Sequence, residues 1–453
     1  MKQILAPMGV MRSLASQQRY APEADYRRAS FCLELPVEDG VLLYHTLSGE
    51  MLWMTKAEYD RANTDESLKI ELVRKRFMVP VGFDEKRYAD QVKTVAGLLR
   101  KEKSAVTEFT VFTTLDCNAR CFYCYEKGRP RPYMTDAVAR DVADYMLRVS
   151  RGEKTSLRWF GGEPLLNVRV IDIISSALKE SGTSFTSSMV SNGYLFERPI
   201  IQRAKTEWNL QKVQITLDGT EPVYNRTKAF AEAAGNPFQK VLGSIGMLLE
   251  AGIHVSVRLN MHRNNVEDLH QLIQELSLRF SGKEQFRVYA ALLRDPLGTF
   301  IGLEQQEALE AFRELNRSLL ELRLRKPGKL PEKPKIDYCM ACRDGSVTVL
   351  PNGDLGKCEH FSESELLGSI YSDQQDETVI SAWKETIDCT DTCRSCPCYP
   401  QCNLLKKCPY VSNVCTEIDR QMRLDELKEQ VYFAYWTSIE KEKRGENLNA
   451  NQE

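Results

Sequence analysis

TEFTVFTTLDCNARCFYCYE, residues Thr107–Glu126, joins a run of β-forming residues to a loop that holds three cysteines. Glu108 to Thr114 is rich in Phe, Val and Thr and reads as a buried strand. Cys117, Cys121 and Cys124 follow with C-x3-C-x2-C spacing just past its C-terminal end. Outward from there, strand and long helix alternate. Further strands are predicted at Ser156 to Phe160, Ser184 to Ser191, Lys212 to Leu217, His254 to Asn260 and Gln285 to Leu292. Helical periodicity lies between them, at Asp136 to Ser150, Val168 to Glu180, Arg198 to Thr206, Phe238 to Ala251 and Val266 to Phe280. Six such units imply a parallel sheet covered by helices, because each parallel crossover lays its helix on a face. A complete or partial barrel and an open doubly wound sheet both satisfy this α/β pattern.

In either architecture the loops after strand C-termini carry the chemistry. The marked segments all fall there: the cysteine loop after the first strand, Gly161-Gly162-Glu163-Pro164 after the second, Asn192-Gly193 after the third and Asp218-Gly219 after the fourth.

The 453 residues are 42% hydrophobic and 27% charged, which leaves room for roughly two or three domains with real cores. Lys plus Arg number 61 against 63 Asp plus Glu, a formal net charge of -2, so the basic footprint of a nucleic-acid binder is missing and no nucleic-acid partner is expected. Apolar stretches are short or interrupted, and Met1 to Pro7 holds no sustained apolar segment. The expectation is a soluble cytoplasmic protein with no membrane partner. Of 14 cysteines, one is Cys32, three lie in the loop above and ten fall between Cys339 and Cys415. Clustered cysteines in a reducing compartment read as metal ligands. Only one of the five histidines, His360, lies within a cysteine cluster, which favours all-thiolate sites: iron–sulfur clusters or four-cysteine zinc.

The organisation read from the sequence has six parts. Residues 1–83 form an N-terminal winged-helix-like module of short strands followed by two short helices, and 84–106 a charged helical connector. Residues 107–325 are the barrel, ending in a long helix from Leu303 to Arg325, and 326–338 a Pro/Lys-rich linker. Residues 339–416 are the cysteine-rich region, with a hairpin at Ser346 to Leu350 and Leu355 to Cys358. A helix, Glu417 to Lys443, and a polar tail close the chain as 417–453.

Three thiolates on one tight loop can bind three irons of a [4Fe–4S] cube and leave the fourth iron open, as a catalytic site requires. The alternative is a structural zinc site completed by a distant ligand. C-x3-C-x-aromatic-C with GGEP after the next strand resembles the radical S-adenosylmethionine (SAM) superfamily, over roughly Thr107 to Leu293. That resemblance implies a partial (β/α)6 TIM-like barrel in which SAM chelates the open iron and is reductively cleaved to a 5′-deoxyadenosyl radical. By motif position, Glu163 of Gly161-Gly162-Glu163-Pro164 accepts from the SAM amine. Ser191 and Asn192 contact its ribose or carboxylate, and Arg258 and Asn260 form a further contact. Tyr123 lies near the adenine, largely through its backbone, and Asp218 faces the same cavity.

The later cysteines resemble the SPASM extension, which implies two auxiliary [4Fe–4S] clusters. One would take Cys339, Cys342, Cys358 and Cys408, the other Cys393, Cys396, Cys402 and Cys415. Cys389 and Cys398 are surplus and either could replace an assigned ligand, and Lys406 stands where the family pattern has its next cysteine. A zinc-ribbon-like fold is the alternative. The extension implies a polypeptide substrate, and the N-terminal module resembles, in layout, the domain that captures leader peptides in ribosomal-peptide maturases. The function expected is thus a maturase that abstracts hydrogen from a precursor peptide, forming a thioether or carbon–carbon cross-link, with flavodoxin or ferredoxin as electron donor. An anaerobic sulfatase-maturating enzyme and a non-catalytic iron–sulfur electron carrier are the competing readings. Cys32 is expected to be a small buried hydrophobe.

Overall fold

The computed structural model describes residues 1–5, 20–98, 105–293, 305–331, 339–360, 365–387, 390–402, 404–409 and 415–444. The N-terminal part comprises β1 (Lys2–Leu5), β2 (Tyr26–Arg28), β3 (Cys32–Val37), β4 (Gly40–His45) and β5 (Met51–Thr55). Then come α1 (Lys56–Arg61), α2 (Glu66–Arg74), β6 (Met78–Pro80) and α3 (Glu85–Leu98). Four of these strands form an antiparallel sheet in the order β1-β5-β4-β3, while β2 pairs with β6. The meander and two helices follow the sequence reading, and a capping box between Thr55 and Glu58 starts α1. Strands β1, β2 and β6 were not anticipated, being too short for any periodicity to register. Cys32 is half-buried and packs beside the cluster of Leu43, Leu52 and Phe77.

The central sheet contains β7 (Glu108–Thr114), β8 (Thr155–Gly161), β9 (Phe185–Ser191), β10 (Leu210–Leu217), β11 (His254–Met261) and β12 (Phe286–Leu292), each parallel to the next. Around them run α4 (Asp136–Ser150), α5 (Val168–Glu180), α6 (Arg198–Thr206), α7 (Glu221–Lys228), α8 (Pro237–Glu250), α9 (Val266–Phe280) and α10 (Gln305–Glu321). Phe109, Val111, Leu157, Trp159, Val255 and Val257 belong to the main core with the helices. Side chains alternate along a strand, so Thr110, Arg158, Gln214 and Arg258 face the opposite, inner side. Helix α7 was missed in the sequence reading, although Thr220 with Pro222 in the first turn is a helix start.

The C-terminal part comprises β13 (Ser346–Val349), β14 (Asp354–Gly356), β15 (Gly368–Ser369), α11 (Glu377–Ala382), α12 (Asp391–Arg394) and α13 (Glu417–Lys443). The hairpin read from the sequence is present and joins the central sheet. Strand β13 pairs in parallel with β7, Ser346 opposite Glu108 and Val349 opposite Val111, giving the order β12-β11-β10-β9-β8-β7-β13-β14-β15. Strands β7 and β12 therefore do not close on each other, and the barrel is partial. Helix α13 carries Leu424, Val431 and Tyr435 against Leu33, Leu35, Leu42 and Tyr44 of the N-terminal sheet. Arg313 to Asp425 at 2.6 Å fastens it to α10. Part of the predicted linker, the polar tail and Cys389 lie outside the described residues. No helix among the described residues is long and apolar enough to cross a membrane.

Candidate active site

The cysteine loop is built from its root. The Thr114 hydroxyl accepts from the Asp116 amide and the Asp116 carboxylate from the Cys117 amide, both at 2.9 Å. The Thr114 carbonyl accepts from Gly162 at 3.1 Å and the Asp116 carbonyl from Glu163 at 2.8 Å, so the GGEP turn lies directly on this root. A Cβ on Gly161 would collide with the Thr114 carbonyl oxygen, and one on Gly162 with that of Asp116. The close approach that requires glycine here is therefore one between two loops of the protein. On its other side the loop is pinned behind α7: the Lys228 carbonyl accepts from Arg120 at 2.8 Å, and Asn118 accepts from Ala231 at 2.9 Å.

Cys117, Cys121 and Cys124 are half-buried. Burial raises all three thiols, Cys117 up to about 12 with the Glu163 carboxylate as the next cause. Cys121 and Cys124 also act on Cys117, so the three ionise together only beside a compensating cation.

Glu163 is fully buried. Its carboxylate accepts from the Ser191 hydroxyl at 2.9 Å, the Asn192 amide at 2.8 Å and the Leu165 amide at 3.2 Å. Burial pushes its carboxyl up to about 7, against the pull of those donors and of Lys228. The ends of β8 and β9 thus bring Glu163, Ser191 and Asn192 together, and the Asn192 amide group reaches Asn118 at 2.7 Å. Pro164 is buried behind the carboxylate, where it opens a 3-10 turn through Asn167.

Asp218, at the end of β10, is fully buried and pairs with Lys228 at 2.9 Å; their side chains are 0% and 4% exposed. The Tyr123 hydroxyl donates to Asp218 at 2.9 Å, and the Lys228 ammonium donates to that hydroxyl at 3.1 Å. Burial alone would lower Lys228, but Asp218, Cys121 and Tyr123 hold it well above the usual lysine range. The phenol of Tyr123, expected to matter little, is therefore committed to a buried ion pair. Sequence reasoning missed Lys228 together with α7.

Arg258 and Asn260 of β11 share the inner face, and His262 follows directly after the strand. Arg258 Nε, Asn260 Oδ1 and His262 Nε2 are buried without a hydrogen-bond partner. Asn265, 1% exposed, donates to the carbonyls of both Asp218 and Asn260 at 2.8 Å and holds the fourth and fifth strand ends together. Tyr125 of the cysteine loop meets His360 with ring centroids 4.1 Å apart, which joins this rim to the cysteine-rich region.

In that region Cys339, Cys342, Cys358 and Cys408 gather around Ala341, Trp383 and Leu405. Cys393 and Cys396 act electrostatically on Cys402, and Cys393 and Cys402 on Cys415. Cys339, Cys342, Cys358 and Cys408 thus share one cluster of side chains, while Cys398 lies as near to Cys396 and Cys402 as the four thiols assigned from the sequence. Cys398, buried in the apolar cluster beneath α13, shares that cluster with Cys396.

The rim residues fit a cluster and a polar nucleotide on two observations. Three half-buried thiols beside a carboxylate form a donor set that ionises only around a cation, and the orphaned polar atoms at the end of β11 are suited to a polar ligand. Among the described residues no three His, Cys, Asp or Glu side chains converge closely enough for one metal ion.

Residues 111–276 match the Radical SAM superfamily. The chain contains a radical SAM domain. That domain implies a [4Fe–4S] cluster and SAM. A probable GTP 3′,8-cyclase of Archaeoglobus fulgidus is 29% identical over 161 residues, 34% of this chain and 49% of that protein. This chain therefore spans about half the length of that relative. The GTP 3′,8-cyclase of Clostridium perfringens strain SM101 is 27% identical over 266 residues, 54% of this chain and 78% of the relative. Among solved structures, anSMEcpe with bound AdoMet and Cp18Cys peptide superposes with TM-score 0.56 at 15% identity, over 74% of this chain and 98% of that one. Streptococcus suis SuiB bound to precursor peptide SuiA superposes with TM-score 0.52 at 11% identity, over 87% and 99%. At these identities the likeness is one of fold: a radical SAM partial barrel carrying further elements.

Proposed function

We propose that the protein is a peptide maturase that reductively cleaves SAM and abstracts hydrogen from a ribosomally made precursor peptide, forming a thioether or carbon–carbon cross-link. The observation that carries this reading is the extent of the fold match: 87% of the chain against the peptide-bound SuiB structure, beyond the 74% matched to anSMEcpe. The sequence likeness to GTP 3′,8-cyclases covers from a third to about half of the chain, as a shared barrel would.

Cys117, Cys121 and Cys124 would hold the SAM-binding cluster, and the two cysteine foursomes the auxiliary clusters. Bound there, cluster and SAM supply one-electron chemistry and a hydrogen-abstracting radical. The chain supplies orientation. Ionised Glu163 receives an ammonium, and Ser191 with the Asn192 amide fixes which way its oxygens point. Arg258 and Asn260 offer their free polar atoms to the same ligand, and the interlocked loops keep water away.

The N-terminal sheet ends at β3, beyond which no strand lies among the described residues. Pro36 sits on that edge strand, where its missing N–H costs least. A leader segment added there as a further strand would tether the substrate. Flavodoxin or ferredoxin would supply the electron.

A formylglycine-forming enzyme is the second reading, favoured by the likeness to the peptide-bound anSMEcpe structure. The deciding experiment is anaerobic incubation of the reconstituted protein with SAM, a reductant and a precursor peptide, with and without its leader. The expected result is 5′-deoxyadenosine together with a product lighter by a pair of hydrogens, at a rate at least about tenfold lower without the leader. Leader-independent conversion of a short sulfatase peptide to formylglycine would favour the second reading. Consumption of GTP instead would overturn both.

A further inference from the structure

Lys228 is a lysine with almost no access to water, yet it lies outside every motif read above. Its position is fixed from three directions: the ion pair to Asp218 at 2.9 Å, the bond to the Tyr123 hydroxyl at 3.1 Å, and its own carbonyl, which accepts from Arg120 at 2.8 Å. Arg120 and Tyr123 flank Cys121, so side chain and backbone of one residue grip the cysteine loop on both sides of that thiol. Helix α7 ends at Lys228, and the tyrosine at 123 is the aromatic of the cysteine motif. Burying an ammonium is costly, and a buried ion pair is by itself weak evidence of stabilisation.

We propose that Lys228 is a positioning residue that sets the reduction potential of the cluster held by Cys117, Cys121 and Cys124. The inference rests on the reading of those cysteines as cluster ligands. A fixed positive charge in a low-dielectric setting beside a ligating thiolate favours the reduced cluster, which carries one more negative charge. Asp218 has the opposite influence but a separate role, anchoring the ammonium and orienting Tyr123.

The test is a redox titration of the full-length, iron-loaded protein. It follows the electron paramagnetic resonance signal that added SAM perturbs, and so separates this cluster from any others. Lys228→Met should move the midpoint in the negative direction by at least tenfold in the reduction equilibrium, which is 59 mV for one electron. Asp218→Asn should move it in the positive direction, and Lys228→Arg should keep the wild-type value. A purely structural ion pair would give shifts of one sign, or none, in the two neutral variants at full iron content, and either result overturns the proposal. If Lys228→Met does not retain iron, Asp218→Asn decides: a positive shift supports the proposal and an unchanged midpoint overturns it. Wild-type protein without a SAM-responsive signal would instead remove the cluster assignment itself, and this inference with it.

Discussion

Replacing Glu163 by glutamine keeps the shape of a fully buried side chain and removes its charge. A charge-assisted hydrogen bond is worth about 1.5–3 kcal/mol, so SAM should bind roughly 10- to 150-fold more weakly to Glu163→Gln at pH 8. Because burial pushes the carboxyl up to about 7, the wild type is mostly protonated at pH 6. Its own SAM affinity should therefore fall about tenfold from pH 8 to pH 6, while that of the variant stays flat. Stability moves the other way. A carboxyl whose folded value lies above its ordinary 4.5 stabilises the fold below 4.5, and that contribution is lost as pH rises through 7. The gap amounts to about 3 kcal/mol, of which about 2 kcal/mol is lost between pH 5.5 and 8.5. The variant should therefore gain stability relative to wild type as pH rises. Anaerobic calorimetry would read both quantities, by SAM titration and by thermal unfolding without SAM. Equal SAM affinity of the two proteins at pH 8 with iron intact, or a wild-type affinity that ignores pH, would refute the reasoning.

Gly162→Ala should cost about 1–3 kcal/mol and empty the barrel cluster, because its Cβ meets the Asp116 carbonyl at the root of the cysteine loop. Thermal unfolding and iron content would check this. Asn265→Ala removes the clamp on two carbonyls, each worth about 1–3 kcal/mol when left unsatisfied, and the thermal midpoint should drop accordingly. Cys398→Ser should keep its iron, as a thiol outside the foursome of Cys393, Cys396, Cys402 and Cys415. Cys402→Ser should lose one cluster's share, so elemental analysis of the pair tests the foursome directly.

Local chemistry carried the barrel. Helices Asp136–Ser150, Val168–Glu180, Arg198–Thr206, Val266–Phe280 and Glu417–Lys443 begin and end where their periodicity and flanking residues place them. Caps such as Thr135 and Thr416 bond within three residues of themselves and so are written in the neighbouring sequence. The cysteine spacing and GGEP likewise marked the rim, because both loops follow strand ends that alternation makes visible.

Contacts between distant segments leave no such trace. That β13 extends the sheet beside β7 depends on Ser346 meeting Glu108 across most of the chain, and four- or three-residue strands such as β1 and β14 have no period to read. The buried Asp218–Lys228–Tyr123 group is of the same kind: a lysine in a polar stretch reads as solvated until tertiary packing excludes the water around it. Sequence alone therefore determined which residues could ligate and where the rim lay, since those depend on residue type and local repeat. Only the folded structure decided which charges are buried together, because burial is a property of segments that meet in space and not of any one of them.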